Sequence, residues 1–218
     1  MICVAISDTN IDTCLDTLKQ VELAEIRLDM THFDDNAIKK VFGISTPAVA
    51  TCRPDKIGAD EQYRQLKLAI ESGARYVDIE IEADDNQRNR IIEVAKKHQC
   101  EIIISYHNFE KTPEQEELES IIEICYNLGA DVAKIAVQVN SHEENARVLA
   151  LYGKERRLVA IGMGELGITT RVMAPLLGAE FTFAAMDSGL TTAPGQIPYS
   201  VMKKAIEKLE NLKSNPDE

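Results

Sequence analysis

The stretch Asp131-Val132-Ala133-Lys134-Ile135-Ala136-Val137 is the clearest of eight short apolar runs, and these runs decide the fold. Valine and isoleucine dominate it, and Gly129 and Asn140 flank it with residues typical of turns, so we predict a buried strand. Lys134 lies in its middle, although lysine is rarely fully buried. Its amine reaches water, pairs with a carboxylate, or serves as a nucleophile toward a carbonyl group.

The same unit, a short apolar strand followed by a charged helical segment, repeats along the chain. The predicted strands cover residues 2–7, 23–29, 47–53, 75–82, 101–107, 131–137, 157–162 and 180–186. The predicted helices cover residues 8–20, 34–42, 60–72, 84–98, 113–128, 141–152, 167–177 and 198–212. Eight such units in one domain, residues 1–218, predict a compact α/β fold, the (β/α)8 TIM barrel. The alternative is an open doubly wound sheet, which the lack of a glycine fingerprint after the first strand disfavours.

Capping residues mark several of the predicted helix starts. Asp8 is a candidate N-cap for the first helix, and Thr112 precedes a proline at the first position of the fifth. Ser141 and Glu144 have the spacing of a capping box at the start of the sixth helix.

The charge balance excludes several kinds of partner. Asp and Glu outnumber Lys and Arg by 36 to 24, which gives a net charge of −12. Such a surface repels phosphate backbones and anionic lipids, so we expect neither nucleic acid nor membrane as a partner. No signal peptide or membrane-length apolar run is evident, and five dispersed cysteines favour a reducing cytoplasm. No spacing of His, Cys and acidic residues predicts a metal site.

Charged residues alternate with apolar ones in two of the predicted strands. Because side chains of a barrel strand point alternately inward and outward, one set must face the interior. The residues predicted to point inward are Glu25, Arg27, Asp29, Asp78, Glu80 and Glu82. Buried charges are costly unless paired, so these residues either form an internal salt-bridge network or bind a polar ligand.

Three further polar residues lie on different predicted strands: Arg53 and His107 end the third and fifth, and the sixth carries Lys134. Barrel enzymes place their active sites at the carboxyl-terminal ends of the strands. A salt-bridge network alone does not readily account for all three. His107 beside Lys134 is suited to carry a proton near neutral pH.

Two loops near the end of the chain carry candidate ligand-binding residues. Arg171 follows a loop that contains Gly164 and Gly167, and an arginine at this place is suited to bind an anion. Thr192 and Gln196 lie in a Gly- and Pro-rich segment after the last predicted strand, where their polar groups can close over a small ligand.

Seven sequence blocks together resemble one family, the type I 3-dehydroquinate dehydratases, which act through a Schiff base. The blocks are Glu25-Ile26-Arg27-Leu28-Asp29, Thr51-Cys52-Arg53, Asp78-Ile79-Glu80, Ser105-Tyr106-His107-Asn108-Phe109, Ala133-Lys134-Ile135-Ala136, the glycine loop that runs to Arg171, and Ala193-Pro194-Gly195-Gln196. They occur in the order and with the spacing of the family, over nearly the whole chain.

The resemblance implies roles for particular residues. Lys134 matches the Schiff-base lysine and His107 the catalytic histidine. The positions that match substrate-binding residues are Ser7, Glu25, Arg27, Arg53, Arg171, Thr192 and Gln196. The implied reaction removes water from 3-dehydroquinate to give 3-dehydroshikimate in the shikimate pathway to chorismate and aromatic amino acids. The imine withdraws the electrons, so no metal or organic cofactor is expected, and the family resemblance implies a homodimer.

One position departs from the family. The family commonly has a glutamate in the loop after the third strand, where it is thought to orient the histidine, and Ile57 stands at that place. We therefore do not assign that role here. Asp55, Asp60, Glu61 and Asp78 are the carboxylates considered as substitutes.

The chemistry also sets an expectation for the nucleophile. Lys134 must be neutral to attack a ketone, and we expect burial and nearby arginines to lower its pKa. Two other functions stay open: a class I aldolase acting on sugar phosphates, and a barrel that binds a carboxylate ligand without chemistry.

Overall fold

Eight parallel strands form the centre of the molecule in a computed structural model, which describes residues 1–55, 57–187 and 195–214. The strands are β1 Ile2–Ile6, β2 Leu23–Arg27, β3 Ala48–Thr51, β4 Tyr76–Glu80, β5 Glu101–Asn108, β6 Val132–Gln138, β7 Leu158–Met163 and β8 Thr182–Ala185. Their hydrogen-bonded order is β7-β6-β5-β4-β3-β2-β1-β8. All eight predicted strands are present, and their ends agree with the prediction to within two residues.

The two ends of this order meet and nearly close a barrel. The Glu180 amide donates a hydrogen bond of 2.9 Å to the Leu158 carbonyl, which links the start of β8 to β7. Below this link, the Arg157 guanidinium contacts the Glu180 carboxylate at 2.6 Å and the Glu101 carboxylate at 2.8 Å. The (β/α)8 barrel is therefore confirmed, and the open doubly wound sheet is not observed.

Helices surround the strands. They are α1 Ile11–Leu18, α2 Leu28–Thr31, α3 Asp35–Phe42, α4 Ala59–Glu71, α5 Asp85–Lys97, α6 Gln115–Asn127, α7 His142–Leu149, α8 Ile168–Met173 and α9 Tyr199–Ser214, with a 3₁₀ turn at Ala174–Leu177. The single turn α2 was not predicted, because residues 28 and 29 continue the alternating pattern of β2. Within the described ranges, no helix combines the length and the apolar character needed to cross a membrane.

The predicted helix caps have mixed outcomes. Ser141 caps α7 by accepting from the Glu144 amide, as predicted. The prediction for Asp8 is wrong, because α1 begins later and the Asn10 side chain accepts from its first amides. The prediction for Thr112 is also wrong: α6 begins at Gln115, and the Thr112 hydroxyl instead donates to a carbonyl at the end of β6.

The strand alternation separates an outer apolar layer from a polar interior. On β2 and β4, the residues at alternate positions from Ala24 and Val77 pack among the helices. Glu25 and Asp78 lie between them and are buried inside the barrel. The prediction that Glu82 points inward is wrong, because β4 ends at Glu80 and Glu82 is exposed.

An apolar floor closes the interior at the amino-terminal ends of the strands. Phe181, which is fully buried, packs against the Tyr76 and Phe183 rings with centroid distances of 5.7 and 5.5 Å. The polar side chains therefore lie above a packed aromatic layer, toward the carboxyl-terminal ends of the strands.

Removal of the floor ring should destabilise the fold without touching the polar interior. We expect Phe181→Ala to lower the free energy of unfolding by about 3–5 kcal/mol, because it leaves a cavity in a close-packed layer. Urea denaturation measures this loss. Phe109→Ala, at a ring that is 71% exposed, is the matched control and should change stability by less than about 0.5 kcal/mol. Equal losses in the two variants would contradict the assignment of Phe181 to the core.

Candidate active site

A cavity of about 270 Å³ opens at the carboxyl-terminal ends of the strands. Seven of the nine residues predicted for the site line it: Glu25, Arg27, Arg53, His107, Lys134, Arg171 and Gln196. Ser7 directly follows β1 and is not among the residues that line the cavity. Thr192 lies outside the described residues. Residues that are far apart in sequence thus meet in one cavity because they lie on different strands or in the segments that follow those strands.

Lys134 projects from β6 into the base of this cavity. Its ammonium lies 2.8 Å from Asp78 Oδ2 and 3.3 Å from Glu25 Oε1, and the side chain is 5% exposed. Its Nζ also lies 4.5 Å from the centroid of the Phe183 ring. The amine is therefore fixed by two carboxylates and an aromatic face.

The expected pKa shift of Lys134 is wrong for this structure. Burial acts to lower the pKa, as expected, but the negative charges of Asp78 and Glu25 act in the opposite direction. The net result is a pKa raised above the usual value for lysine. The amine is consequently a protonated ammonium at neutral pH before any ligand enters.

Asp78 forms the centre of the charge network beneath the cavity. One carboxylate oxygen accepts from Arg53 Nη1 at 2.9 Å and from the Ser105 hydroxyl at 2.7 Å, and the other accepts from Lys134. The side chain is fully buried and does not line the cavity. Burial alone would raise the pKa of this carboxyl, but Arg53 and Lys134 hold it well below its usual range.

Hydrogen bonds also orient the two charged side chains of β2. The Thr51 hydroxyl donates to Glu25 Oε1 at 2.9 Å, so Glu25 is oriented by a neighbour as well as by the lysine. Arg27 donates two hydrogen bonds to Asp29 on α2, at 3.0 and 2.7 Å. Such bidentate geometry fixes the plane of the guanidinium, whose side chain is 19% exposed.

His107 extends from β5 on the side of the cavity next to Lys134. Burial lowers the pKa of His107 from 6.5 to about 3, and the positive charges of Arg53 and Lys134 contribute in the same direction. The ring is therefore neutral at pH 7 and able to accept a proton. Phe109 stacks nearly parallel to it, with ring centroids 6.1 Å apart, and contributes an apolar wall.

Arg171 reaches the cavity from α8, behind the glycine loop. Its side chain is almost completely buried, Nη1 donates to the Phe183 carbonyl at 3.4 Å, and burial lowers its pKa to about 10. It stays positively charged at neutral pH. Gly195, at φ +77°, packs so closely on the Gly164 carbonyl that any side chain would overlap it, and this contact brings Gln196 to the cavity wall.

Sequence reasoning missed several residues of the cavity. Asp29 and Glu80 were predicted only to point inward, and Thr51 was not singled out at all. Ala136, Ile161 and Phe183 form part of the apolar wall, and the two-residue period of their strands is the signal that could have identified them. Met163, at the end of β7, lines the same wall.

The loop after β3 does not bring Ile57 into the cavity. Ile57 packs against the outer apolar core, whereas Asp55 lines the cavity. Asp60 is exposed, and the Glu61 carboxylate contacts Arg64 at 2.7 Å. In the part of the chain that the structure describes, no group of three or more His, Cys or acidic side chains is arranged to hold a metal ion.

The comparisons with known proteins agree with one another. A sequence model of the type I 3-dehydroquinase family matches residues 2–213. The 3-dehydroquinate dehydratase of Methanococcus maripaludis is 34% identical over 96% of this chain and 100% of its own length, and that of Methanocaldococcus jannaschii is 33% identical over 98% and 100%. The crystal structure of the 3-dehydroquinate dehydratase from Aquifex aeolicus superposes with a TM-score of 0.77 at 28% identity, covering 95% of this chain and 98% of that one.

The pairing of Lys134 predicts how its pKa responds to substitution. Asp78→Asn should lower the pKa of Lys134, because it removes the carboxylate that raises that pKa most. Glu25→Gln should lower it less, since the longer contact contributes less. Titration of the lysine side chain by ¹⁵N NMR measures both values. An unchanged Lys134 pKa in Asp78→Asn would refute the pairing. Asp78→Asn should also destabilise the fold by about 3–5 kcal/mol, because it breaks a buried pair.

The low pKa of His107 predicts a loss of stability in acid. Above pH 6.5 the ring is neutral in both folded and unfolded chains, whereas between pH 6.5 and about 3 only the unfolded chain binds the proton. Stability therefore falls as the pH falls through this window, by about 2–3 kcal/mol between pH 6.5 and 4.5 from this residue. His107→Gln should lack this component when urea unfolding is compared at the two pH values. An identical pH dependence of the free energy of unfolding in the two proteins would contradict this contribution of His107.

Proposed function

The chain belongs to the type I 3-dehydroquinase family, and from that premise we propose that it removes water from 3-dehydroquinate through a Schiff base on Lys134. The observation that carries the proposal is a buried lysine on the wall of a small cavity that also contains a neutral histidine and three arginines. Amine, base and anion-binding groups are the parts that a lysine-dependent elimination needs. The reaction class is that of a hydro-lyase.

The ketone and carboxylate of the substrate determine its orientation. Arg171 and Gln196 bind the substrate carboxylate at one side of the cavity, and by family resemblance Thr192 assists them. Glu25, Arg27 and Arg53 bind ring hydroxyl groups at the other side, with Ser7 as a further contact by resemblance. This arrangement brings the ketone carbon to Lys134 Nζ.

The first chemical step needs a neutral amine. Because Asp78 and Glu25 keep Lys134 protonated in the empty site, the ammonium must lose a proton before it attacks. His107, neutral and lining the same cavity, accepts this proton. Nζ then forms a bond to the ketone carbon, and the ketone oxygen takes one proton from Nζ and the second from His107, so that it leaves as water. The product is a protonated imine.

The imine carries the elimination. It withdraws electrons from the adjacent carbon, so His107 removes a proton there and an enamine forms. The enamine expels the hydroxyl group on the next carbon, and His107 donates its proton to that oxygen. Water then hydrolyses the imine, which frees 3-dehydroshikimate and restores the lysine. The net reaction is the loss of one water molecule from the substrate. The imine accepts the electron pair of the broken C–H bond and returns it when the hydroxyl group leaves.

The family resemblance also supports a setting for this reaction. We propose that the protein acts in the cytoplasm, as a homodimer, in the shikimate pathway to chorismate and aromatic amino acids. Of the two other functions left open by the sequence, the class I aldolase would need a phosphate site. Arg171 is the cation beside the glycine loop, and Glu165 in that loop opposes a phosphate.

Borohydride reduction tests the central step. In the presence of 3-dehydroquinate, borohydride should attach the substrate skeleton irreversibly to Lys134, which peptide mass mapping detects. Lys134→Ala should form no adduct and lose more than about 10⁴-fold in turnover, because the nucleophile is absent. Lys111→Ala, at an exposed lysine in the loop after β5, is the matched control and should behave like the parent protein.

Other outcomes assign the protein differently. Turnover without an adduct would mean an elimination that does not use an imine. A thermal shift with 3-dehydroquinate but neither adduct nor turnover would favour the carboxylate-binding barrel. Turnover of a sugar phosphate instead would favour the aldolase.

A further inference from the structure

One ring nitrogen of His107 lacks the contact that a buried polar atom usually has. Within the described residues, Nδ1 is inaccessible to solvent and has no hydrogen-bond partner. An unsatisfied buried polar atom is destabilising, so its persistence needs an explanation. The Glu80 carboxylate lies on this side of the ring, with Oε1 3.9 Å from Nδ1.

The neighbouring groups limit which carboxylate can serve His107. Both oxygens of Asp78 already accept hydrogen bonds from Arg53, Ser105 and Lys134. Asp55 lines the cavity but extends from the exposed loop after β3. Glu80 is the last residue of β4, which pairs with the strand that carries His107.

Glu80 also has a cation on its other side. Arg53 Nε lies 3.4 Å from the same Oε1, and the Glu80 side chain is 29% exposed at the cavity wall. A hydrogen bond to Nδ1 needs the two atoms about 1 Å closer, and therefore a change in the Glu80 side-chain torsions. Catalytic hydrogen bonds are commonly long in a free site and shorten when the substrate is bound.

We propose that Glu80 is the positioning residue of His107. Its carboxylate accepts a hydrogen bond from Nδ1–H, which leaves Nε2 as the unprotonated nitrogen that faces the reacting atoms. When Nε2 takes a proton, the same carboxylate stabilises the resulting imidazolium. This inference rests on the proposed function, since it describes a residue that acts through the base of that reaction.

The charges around His107 explain why such a partner is required. Arg27, Arg53 and Lys134 face the ring with positive charges, and Asp78 is the opposing buried anion. Burial is the main reason for the low pKa of His107, and the three cations make protonation of the imidazole still less favourable. A carboxylate on the Nδ1 side offsets part of this repulsion at the moment the proton is transferred.

Glu80→Gln tests the proposal, with Glu82→Gln as the matched control. Glu82 is exposed, lies two residues further along the chain and does not line the cavity. With 3-dehydroquinate as substrate, Glu80→Gln should lower kcat by about 10- to 100-fold, change KM by less than about threefold, and move the acidic limb of the kcat/KM profile to lower pH. The borohydride adduct on Lys134 should still form. Glu80→Asp should recover part of kcat, and Glu82→Gln should match the parent protein.

Each alternative result has a definite meaning. If the parent protein forms product and Glu80→Gln keeps its kcat and pH profile, the role of Glu80 is wrong while the proposed function stands. If the parent protein forms neither product nor adduct, both fail together. Should Glu80→Gln not fold, ¹⁵N NMR of histidine in the parent protein still decides: a proton on Nδ1 supports the proposal, and a proton on Nε2 overturns it.

Discussion

The buried carboxylate of Asp78 is the constraint on which the interior of this barrel depends. It has no contact with solvent. It accepts hydrogen bonds from one side chain of β5, from one side chain of β6 and from Arg53, which lies just after β3. An ionised carboxylate in such a place is tolerated only when its charge is matched and its lone pairs are used. Arg53, Ser105 and Lys134 meet both conditions, and the same contacts fix where a guanidinium and an amine can lie. From the sequence, a salt-bridge network and a ligand site were alternative interpretations of these charged residues. In the structure both are present, because the salt-bridge network lies directly beneath the candidate ligand cavity.

The network sets opposite protonation states for the two groups proposed to react. Lys134 lies against two anions and is protonated, whereas His107 lies among cations and is neutral. Without these neighbours, burial would lower the pKa of both groups. The difference therefore comes from the position of Asp78 and Glu25 relative to the amine. With a proton on the amine and none on the imidazole, the site holds a proton donor and a proton acceptor when a ketone enters.

The fold was predictable because its signals are local and repeated. A two-residue alternation in β2 and β4, together with eight strand–helix units, is enough to place charged residues inside and apolar residues outside. The site could be located for a related reason, since the ends of parallel strands converge. The sign of the Lys134 pKa shift was not predictable, because it depends on the distance to a carboxylate 56 residues away in sequence. Asn10 rather than Asp8 caps α1. Both side chains are suitable caps, so the choice depends on the backbone geometry at the helix start, which the sequence does not show.

The junction between β7 and β8 differs from the other strand contacts of the barrel. Every other neighbouring pair forms a register of three or more residues, whereas within the described residues one backbone hydrogen bond, from Glu180 to Leu158, joins these two. Arg171 and Gln196 stand above this junction, and Arg171 reaches across it to the Phe183 carbonyl. Separation of these two strands would break that one backbone bond and the ion pair between Arg157 and Glu180, whereas at the other strand pairs it would break a ladder of backbone bonds. Closure of the barrel at this place therefore depends largely on the charges of Arg157, Glu180 and Glu101.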